Sequence, residues 1–148
     1  MNAREIPNLH NSRAPVFGGL HSQNKSKSAE TVDPISYCEL FQHRDQYPLG
    51  REVRIKATWT HGFEWSYLSF RDCLDQPKAW VEFVDDDKLC GASKTNLNKM
   101  THGFDNKADV TVVGELHDGG GYGHMGVYRY KFIVTCLESY KKIPVGTP

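Results

Sequence analysis

The sequence predicts an all-β, or β-rich α+β, protein: a small five-stranded barrel with an N-terminal helix and a short helix between its third and fourth strands. Apolar and polar residues alternate in five segments, which is the pattern of strands with one buried and one solvent-facing side. Large side chains that can fill the core of such a barrel are concentrated between residues 50 and 83. They are Trp59, Phe63, Trp65, Tyr67, Phe70, Trp80 and Phe83.

Residues 1–32 are predicted to form a disordered polar arm. The segment 22–30, Ser-Gln-Asn-Lys-Ser-Lys-Ser-Ala-Glu, has too little apolar surface to offset the entropy that is lost on folding. We therefore expect the barrel domain to cover residues 33–143 and a short tail to cover 144–148.

A helix is predicted to begin near Pro34, because proline is favoured in the first helical turn. Ser36 and Glu39 match a capping box, in which the side chain of each residue accepts a hydrogen bond from the backbone N–H of the other. Pro48 ends the helical pattern. The apolar face of the predicted helix comprises Tyr37, Leu40 and Phe41.

Five strands follow from the alternation. They are predicted over residues 51–60, 63–70, 78–84, 108–117 and 127–137. In the first strand, the residues expected on the core face are Val53, Ile55, Ala57 and Trp59. In the last strand, the alternating set expected on the core face is Tyr128, Tyr130, Phe132, Val134 and Cys136. The polar segment 85–107 carries a helical pattern near 93–100, and the glycine-rich loop 118–126 joins the last two strands.

The predicted order of strands and helix, β-β-β-α-β-β, is that of the OB-fold, a partly open five-stranded Greek-key barrel. Two stretches resemble uncharacterised small bacterial OB-fold-like proteins and lipoproteins. The first is Ile35-Ser-Tyr-Cys-Glu-Leu followed by Tyr47-Pro-Leu-Gly-Arg-Glu-Val-Arg-Ile-Lys-Ala-Thr-Trp, and the second is Gly62-Phe-Glu-Trp-Ser-Tyr-Leu with a later Cys73. The resemblance covers residues 35–143 and implies the fold, without implying an activity.

Charge and hydropathy exclude some classes of partner. Eighteen basic and eighteen acidic side chains leave no basic excess, which disfavours nucleic acid and anionic membranes as partners. No apolar run approaches the ~20 residues of a membrane span. Residues 1–8 lack the apolar middle region of a secretory signal, so a cytoplasmic location is expected. An extracytoplasmic location stays open if the native start lies upstream.

The aromatic residues provide the leading hypothesis for a ligand site. Rings on the outer face of the second and third strands would form a stacking platform, which OB-folds use to hold single strands or sugars. The loop between the last two strands often borders the ligand groove in that fold. The candidate ligand-binding residues are Trp65, Tyr67, Trp80, Tyr122 and His124.

Histidines at loops and strand ends are candidates for metal binding. They are His61, His102, His117 and His124. Three imidazoles and a carboxylate would suit zinc, but the H-x-x-x-H, H-E-x-x-H and C-x-x-C spacings are absent. Exposed turn histidines are therefore the simpler interpretation, and we expect no cofactor.

The cysteines leave the compartment open, because their number is even but their spacing is wide. Cys73 and Cys90 bracket the third strand, so a disulfide between their loops is a hypothesis for an exported protein. Free thiols are expected in a cytosolic one.

The leading prediction of function is a non-enzymatic binding module of the OB type, with an unidentified ligand or protein partner. The first alternative is a single-stranded nucleic-acid-binding protein, which the fold and rings favour and the neutral charge disfavours. The second is a metal-dependent hydrolase that uses the loop histidines.

Overall fold

In the computed structural model, residues 32–90, 97–98, 106–144 and 146 are described. The strands in chain order are β1 (Ile35–Ser36), β2 (Glu52–His61), β3 (Ser66–Ser69), β4 (Ala79–Phe83), β5 (Asn106–Tyr122) and β6 (Tyr128–Lys142). One α-helix, α1 (Tyr37–Gln42), and 3-10 turns at Arg44–Gln46, Arg71–Cys73 and His124–Gly126 accompany them. The β-rich class predicted from the alternation is confirmed.

Three predicted features fall outside the described residues. They are the polar arm at 1–32 apart from Val32, the helix near 93–100 apart from residues 97–98, and the tail at 144–148 apart from Pro144 and Gly146.

The helix α1 begins at Tyr37, three residues after Pro34, because Ile35 and Ser36 pair with β2 as a short strand; the predicted cap at Ser36 is confirmed. The Ser36 hydroxyl oxygen accepts a hydrogen bond from the backbone N–H of Glu39 at 3.0 Å and so caps the first turn. The Tyr47 hydroxyl donates to the Glu39 carboxylate at 3.1 Å and ties the following segment to the helix. The predicted apolar face, Tyr37, Leu40 and Phe41, is buried. No helix in the described ranges is both long and apolar enough to cross a membrane.

The strand pairings form a closed cycle. β2 pairs antiparallel with β3 on one side and, over its whole length, with β5 on the other. β3 pairs antiparallel with β4, β4 pairs in parallel with β6, and β6 pairs antiparallel with β5. β1 adds to β2 in parallel through Ile35 and Ile55. Each of the five longer strands thus pairs with two others of the five, and β2 pairs with β1 as well.

The inward faces of these strands form one apolar core. From β2 it takes Ile55, Ala57 and Trp59, the residues predicted for that face, and Val53 is partly buried beside them. From β6 it takes Phe132, Val134 and Leu137. Alternation predicts the inner face of β2 correctly because this strand has one buried side. On β6 the prediction fails after Val134: Cys136 is only half-buried and Leu137 is buried instead, because the pairing with β5 shifts its register between Val113 and Gly114.

The second strand differs from its prediction over 63–70. The backbone N–H of Gly62 donates to the carbonyl of Trp65 at 2.8 Å and closes a tight turn, so ladder pairing starts only at Ser66 with His61. Phe63 and Trp65 therefore lie in a loop. Strand alternation cannot assign their faces.

The predicted pairing of Cys73 with Cys90 is wrong. One disulfide joins Cys38 to Cys73 and another joins Cys90 to Cys136, with Cα–Cα distances of 5.7 Å and 4.9 Å. Cys90 lies along β6, where its N–H donates to the carbonyl of Thr135 at 3.3 Å. Cys73 precedes β4 in the chain and Cys90 follows it, but the two cysteines are not bonded to each other. None of the four cysteines is free.

Candidate ligand-binding site

Three aromatic side chains form a cluster on β3, β4 and the start of β6. We call Tyr67, Trp80 and Tyr128 the aromatic platform. Tyr67 and Trp80 are direct partners in the β3–β4 register. The ring centroid of Tyr128 lies 6.2 Å from that of Tyr67 and 5.4 Å from that of Trp80. All three residues are half-buried, so part of the cluster faces solvent.

Strand alternation accounts for the outward position of the first two rings. Leu68, which follows Tyr67, is buried in the core. Ala79 and Val81, which flank Trp80, are buried as well. Successive side chains of a strand point to opposite faces, so Tyr67 and Trp80 lie on the outer face.

A glycine brings the turn between β5 and β6 against these rings. Gly123 has a φ of +72°, and a Cβ atom at this position would lie 2.6 Å from Cδ2 of Trp80 and 2.8 Å from Cδ2 of Tyr128. Both the backbone conformation and the close approach require glycine. This end of the glycine-rich loop is therefore packed on the platform.

The loops at 62–65 and 123–127 border the platform and contact each other. Nε2 of His124 lies 3.8 Å from a carboxylate oxygen of Glu64. The side chains beside this contact are unusually exposed for apolar residues: Phe63 (83%), Met125 (82%), Val127 (72%) and Trp65 (39%). The two joined loops thus present an apolar rim.

Two lysines lie over rings of this region. Nζ of Lys78 is 4.4 Å from the ring centroid of Tyr67. Nζ of Lys131 is 4.8 Å from the ring centroid of Tyr122 and 3.3 Å from a carboxylate oxygen of Glu82. These cation–π contacts put positive charge beside the aromatic faces, and Glu82 offsets part of it.

The Tyr128 hydroxyl stays protonated, and therefore neutral, near neutral pH. Burial, and then the neighbouring Tyr67, raise the pKa of the Tyr128 hydroxyl above its ordinary value.

At the border of the site, Arg129 donates two hydrogen bonds of 3.0 Å to Asp118. These bonds lower the pKa of Asp118, so the pair stays ionised and links the ends of β5 and β6.

The residues predicted from sequence as ligand-binding lie in this region. Tyr67 and Trp80 belong to the platform, Trp65 and His124 to the bordering loops, and Tyr122 pairs with Tyr128 across the β5–β6 turn. The geometry thus brings all five to one part of the surface.

Tyr128 was missed by the sequence analysis. Alternation along the last strand assigned it to the core face together with Phe132, which is indeed fully buried. As the first residue of β6, Tyr128 instead contacts the platform rings. Its position opposite Tyr122 across a glycine-rich turn was the one available signal.

The histidines considered as metal ligands lie in separate contacts. His61 packs on Trp59, His117 lies 3.2 Å from Glu115, and His124 lies beside Glu64. His102 falls outside the described residues. Within the part of the chain that the structure describes, no group of three or more His, Cys, Asp or Glu residues has the geometry to hold a metal ion.

Comparisons with known proteins supply no homologous site. No family model, curated protein or solved structure matches this chain.

Proposed function

We propose that this protein is a non-catalytic binding module that holds its ligand by stacking on the aromatic platform. The observation that carries this proposal is the cluster of Tyr67, Trp80 and Tyr128 on an outer sheet face, bordered by two joined loops. Aromatic faces stack on nucleobases, each worth about 1–3 kcal/mol, and on the apolar faces of sugars.

We further propose that the domain is an OB-fold. The closed strand order β2-β3-β4-β6-β5, with β4 parallel to β6, supports a five-stranded Greek-key barrel. OB-folds bind oligonucleotides and oligosaccharides on the second and third barrel strands and on two adjoining loops. The corresponding elements here are β3, β4 and the loops at 62–65 and 123–127, which are those of the platform.

Single-stranded nucleic acid is the second candidate ligand. Lys78 and Lys131 favour it, because each lies beside an aromatic ring, where a phosphate next to a stacked base would be placed. The pairing of Lys131 with Glu82 and the zero net charge of the chain weaken the attraction for a polyanion. A neutral ring-bearing ligand such as an oligosaccharide is therefore preferred.

An oxidising compartment is the proposed location. All four cysteines form disulfides, and such bonds persist outside the cytosol and are rare within it. This location also agrees with the resemblance to bacterial lipoproteins.

Titration of the full chain with a neutral β-linked glucose oligosaccharide and with an oligothymidylate tests the proposal. Binding is followed by tryptophan fluorescence, and Tyr67→Leu should weaken it by about tenfold or more. The matched control is Tyr140→Leu, a half-buried tyrosine of β6 outside the platform. Thermal unfolding of both variants verifies that they are folded.

The salt dependence separates the two ligand classes. Binding of the oligothymidylate should weaken steeply as salt rises, whereas binding of the neutral oligosaccharide should not. Failure of both ligands to bind, or an affinity that Tyr67→Leu and Tyr140→Leu alter equally, contradicts the proposed site.

A further inference from the structure

A second concave site with different chemistry lies where β2, β5 and β6 run side by side. Its volume is about 320 Å³, and Phe70 and Arg71, which follow β3, form one wall. The aromatic platform contributes none of the residues that line it. A pocket of this size is at the lower end of the range for small-molecule sites, about 300–1,000 Å³.

Two rows of polar residues cross the sheet at this cavity. The strand register aligns Lys56, Thr111 and Ser139 in one row and Thr58, Asp109 and Lys141 in the next. Because residues two apart on a strand share a face, both rows lie on the same side of the sheet.

The cavity is positively charged. Lys56, Arg71 and Lys141 line it together with one carboxylate, Asp109, so three positive charges and one negative charge give a net charge of +2. Across the described residues, none of these three cations forms an ion pair within 4.0 Å. Arg54, on the same face of β2, is by contrast held by a carboxylate oxygen at 2.6 Å. The cavity therefore has cations available for an anionic ligand.

Hydroxyl-binding groups and an apolar wall accompany this charge. Asp109 accepts a hydrogen bond from the Thr58 hydroxyl at 3.3 Å through one carboxylate oxygen, which leaves acceptor capacity on the other. The Ser139 hydroxyl accepts from the backbone N–H of Thr111 at 3.2 Å and keeps its own proton to donate. The half-buried ring of Phe70 lies at the edge of the same space.

We propose that this cavity binds an acidic saccharide, a sugar that carries a sulfate, phosphate or carboxylate group. Lys56, Arg71 and Lys141 hold the acidic group, Asp109 holds ring hydroxyls, and Phe70 packs on the C–H face of the sugar. Asp109 would weaken the attraction of the three cations for a bare inorganic anion, and a neutral sugar would leave the cations unused. The proposal does not depend on the aromatic platform.

An NMR titration of the full chain with glucose 6-sulfate, glucose 6-phosphate and glucuronic acid tests the proposal and distinguishes the three acidic groups. Glucose, inorganic sulfate and inorganic phosphate are the reference probes. At least one acidic sugar should bind about tenfold or more tightly than glucose and than its own inorganic anion, and should shift amide signals of β2, β5 and β6.

Charge-neutralising variants locate the contact. Arg71→Gln and Lys141→Gln should each weaken binding of the acidic sugar by about tenfold. Lys142→Gln makes the same change of charge one residue further along β6, outside the cavity lining, and should leave the affinity unchanged. Tyr67→Leu should also leave it unchanged, which separates this site from the platform.

Asp109→Ala distinguishes a saccharide site from a simple anion site. It should weaken binding of the acidic sugar, because a hydroxyl acceptor is lost, and strengthen binding of inorganic sulfate, because a repulsion is removed. The proposal is overturned if no acidic sugar binds, if glucose or the inorganic anions bind equally well, or if Asp109→Ala strengthens binding of every anion. Thermal unfolding shows that each variant is folded.

Discussion

Removing the disulfide between Cys38 and Cys73 should lower the free energy of unfolding by about 4 kcal/mol. The two residues are 35 positions apart, and closing a loop of that length removes chain entropy from the unfolded state worth about 4 kcal/mol. The bond between Cys90 and Cys136 spans 46 positions and should also contribute about 4 kcal/mol. The two loops do not overlap in sequence, so removing both disulfides should lower the free energy of unfolding by about 8 kcal/mol. The whole free energy of unfolding of a typical domain is about 5–15 kcal/mol.

Guanidinium unfolding, followed by tryptophan fluorescence, measures these losses. The double variants Cys38→Ala/Cys73→Ala and Cys90→Ala/Cys136→Ala remove one bond each and leave no unpaired thiol. In the native protein purified without reductant, thiol titration should find no free cysteine, and after reduction in denaturant it should find four. Mass spectrometry of unreduced peptides gives the connectivity directly.

Two results would refute this reasoning. A loss under about 1 kcal/mol in both double variants would show that the bonds do not constrain the unfolded chain as the loop-entropy argument requires. A peptide that links Cys73 to Cys90, or four free thiols in the protein purified without reductant, would show that the pairing itself is different.

Three further predictions concern packing and pH. Gly114→Ala should lower the free energy of unfolding by about 3 kcal/mol or more, because a Cβ at this position would lie 2.9 Å from a backbone carbonyl carbon of β6. Gly120→Ala should lower it by only about 1–2 kcal/mol, because Gly120 has a φ of +74° but lies in open space. Urea unfolding compares the two variants, and equal losses would contradict the steric argument. Tyr37→Phe should lose about 0.5–1.5 kcal/mol by the same measurement, because the hydroxyl of the buried Tyr37 donates a hydrogen bond to the carbonyl of Pro77 at 2.5 Å. An unchanged midpoint would contradict this. Burial lowers the pKa of His61 below the ordinary value of about 6.5, so the unfolded state takes up the proton first and stability should fall as pH drops below about 6.5. His61→Gln should reduce the difference in unfolding free energy between pH 8 and pH 5, measured by urea titration. An unchanged difference would contradict the assignment to His61.

Much of the fold could be predicted from alternation. The inward residues of β2, Ile55, Ala57 and Trp59, follow from a strict period of two on a strand with one buried side. Phe63 and Trp65 have the same apparent period but lie in a turn, because the bond between the Gly62 N–H and the Trp65 carbonyl closes the chain before pairing begins. The alternation of apolar and polar residues depends on side chains, so it does not indicate where a backbone hydrogen bond closes a turn.

The site was predictable to the extent that it depends on the outer face of a strand. Tyr67 and Trp80 follow from the phase opposite to the core. Tyr128 did not, since at the first residue of β6 it contacts rings on two other strands, which local sequence does not encode. The disulfide pairing was equally inaccessible, because four cysteines allow three connectivities and only distances in the folded chain select one.

The disulfides bear differently on the two proposed sites. Arg71 belongs to the same 3-10 turn as Cys73, whose N–H donates to the carbonyl of Phe70 at 3.1 Å, so the bond to Cys38 fixes the wall of the cationic cavity. The platform depends instead on the β3–β4 ladder and on the packing of Gly123 against its rings. A wall held in place before the ligand arrives loses less entropy on binding. Formation of the Cys38–Cys73 disulfide therefore stabilises the wall of the cavity, while the platform keeps its geometry through the sheet and the packing of Gly123.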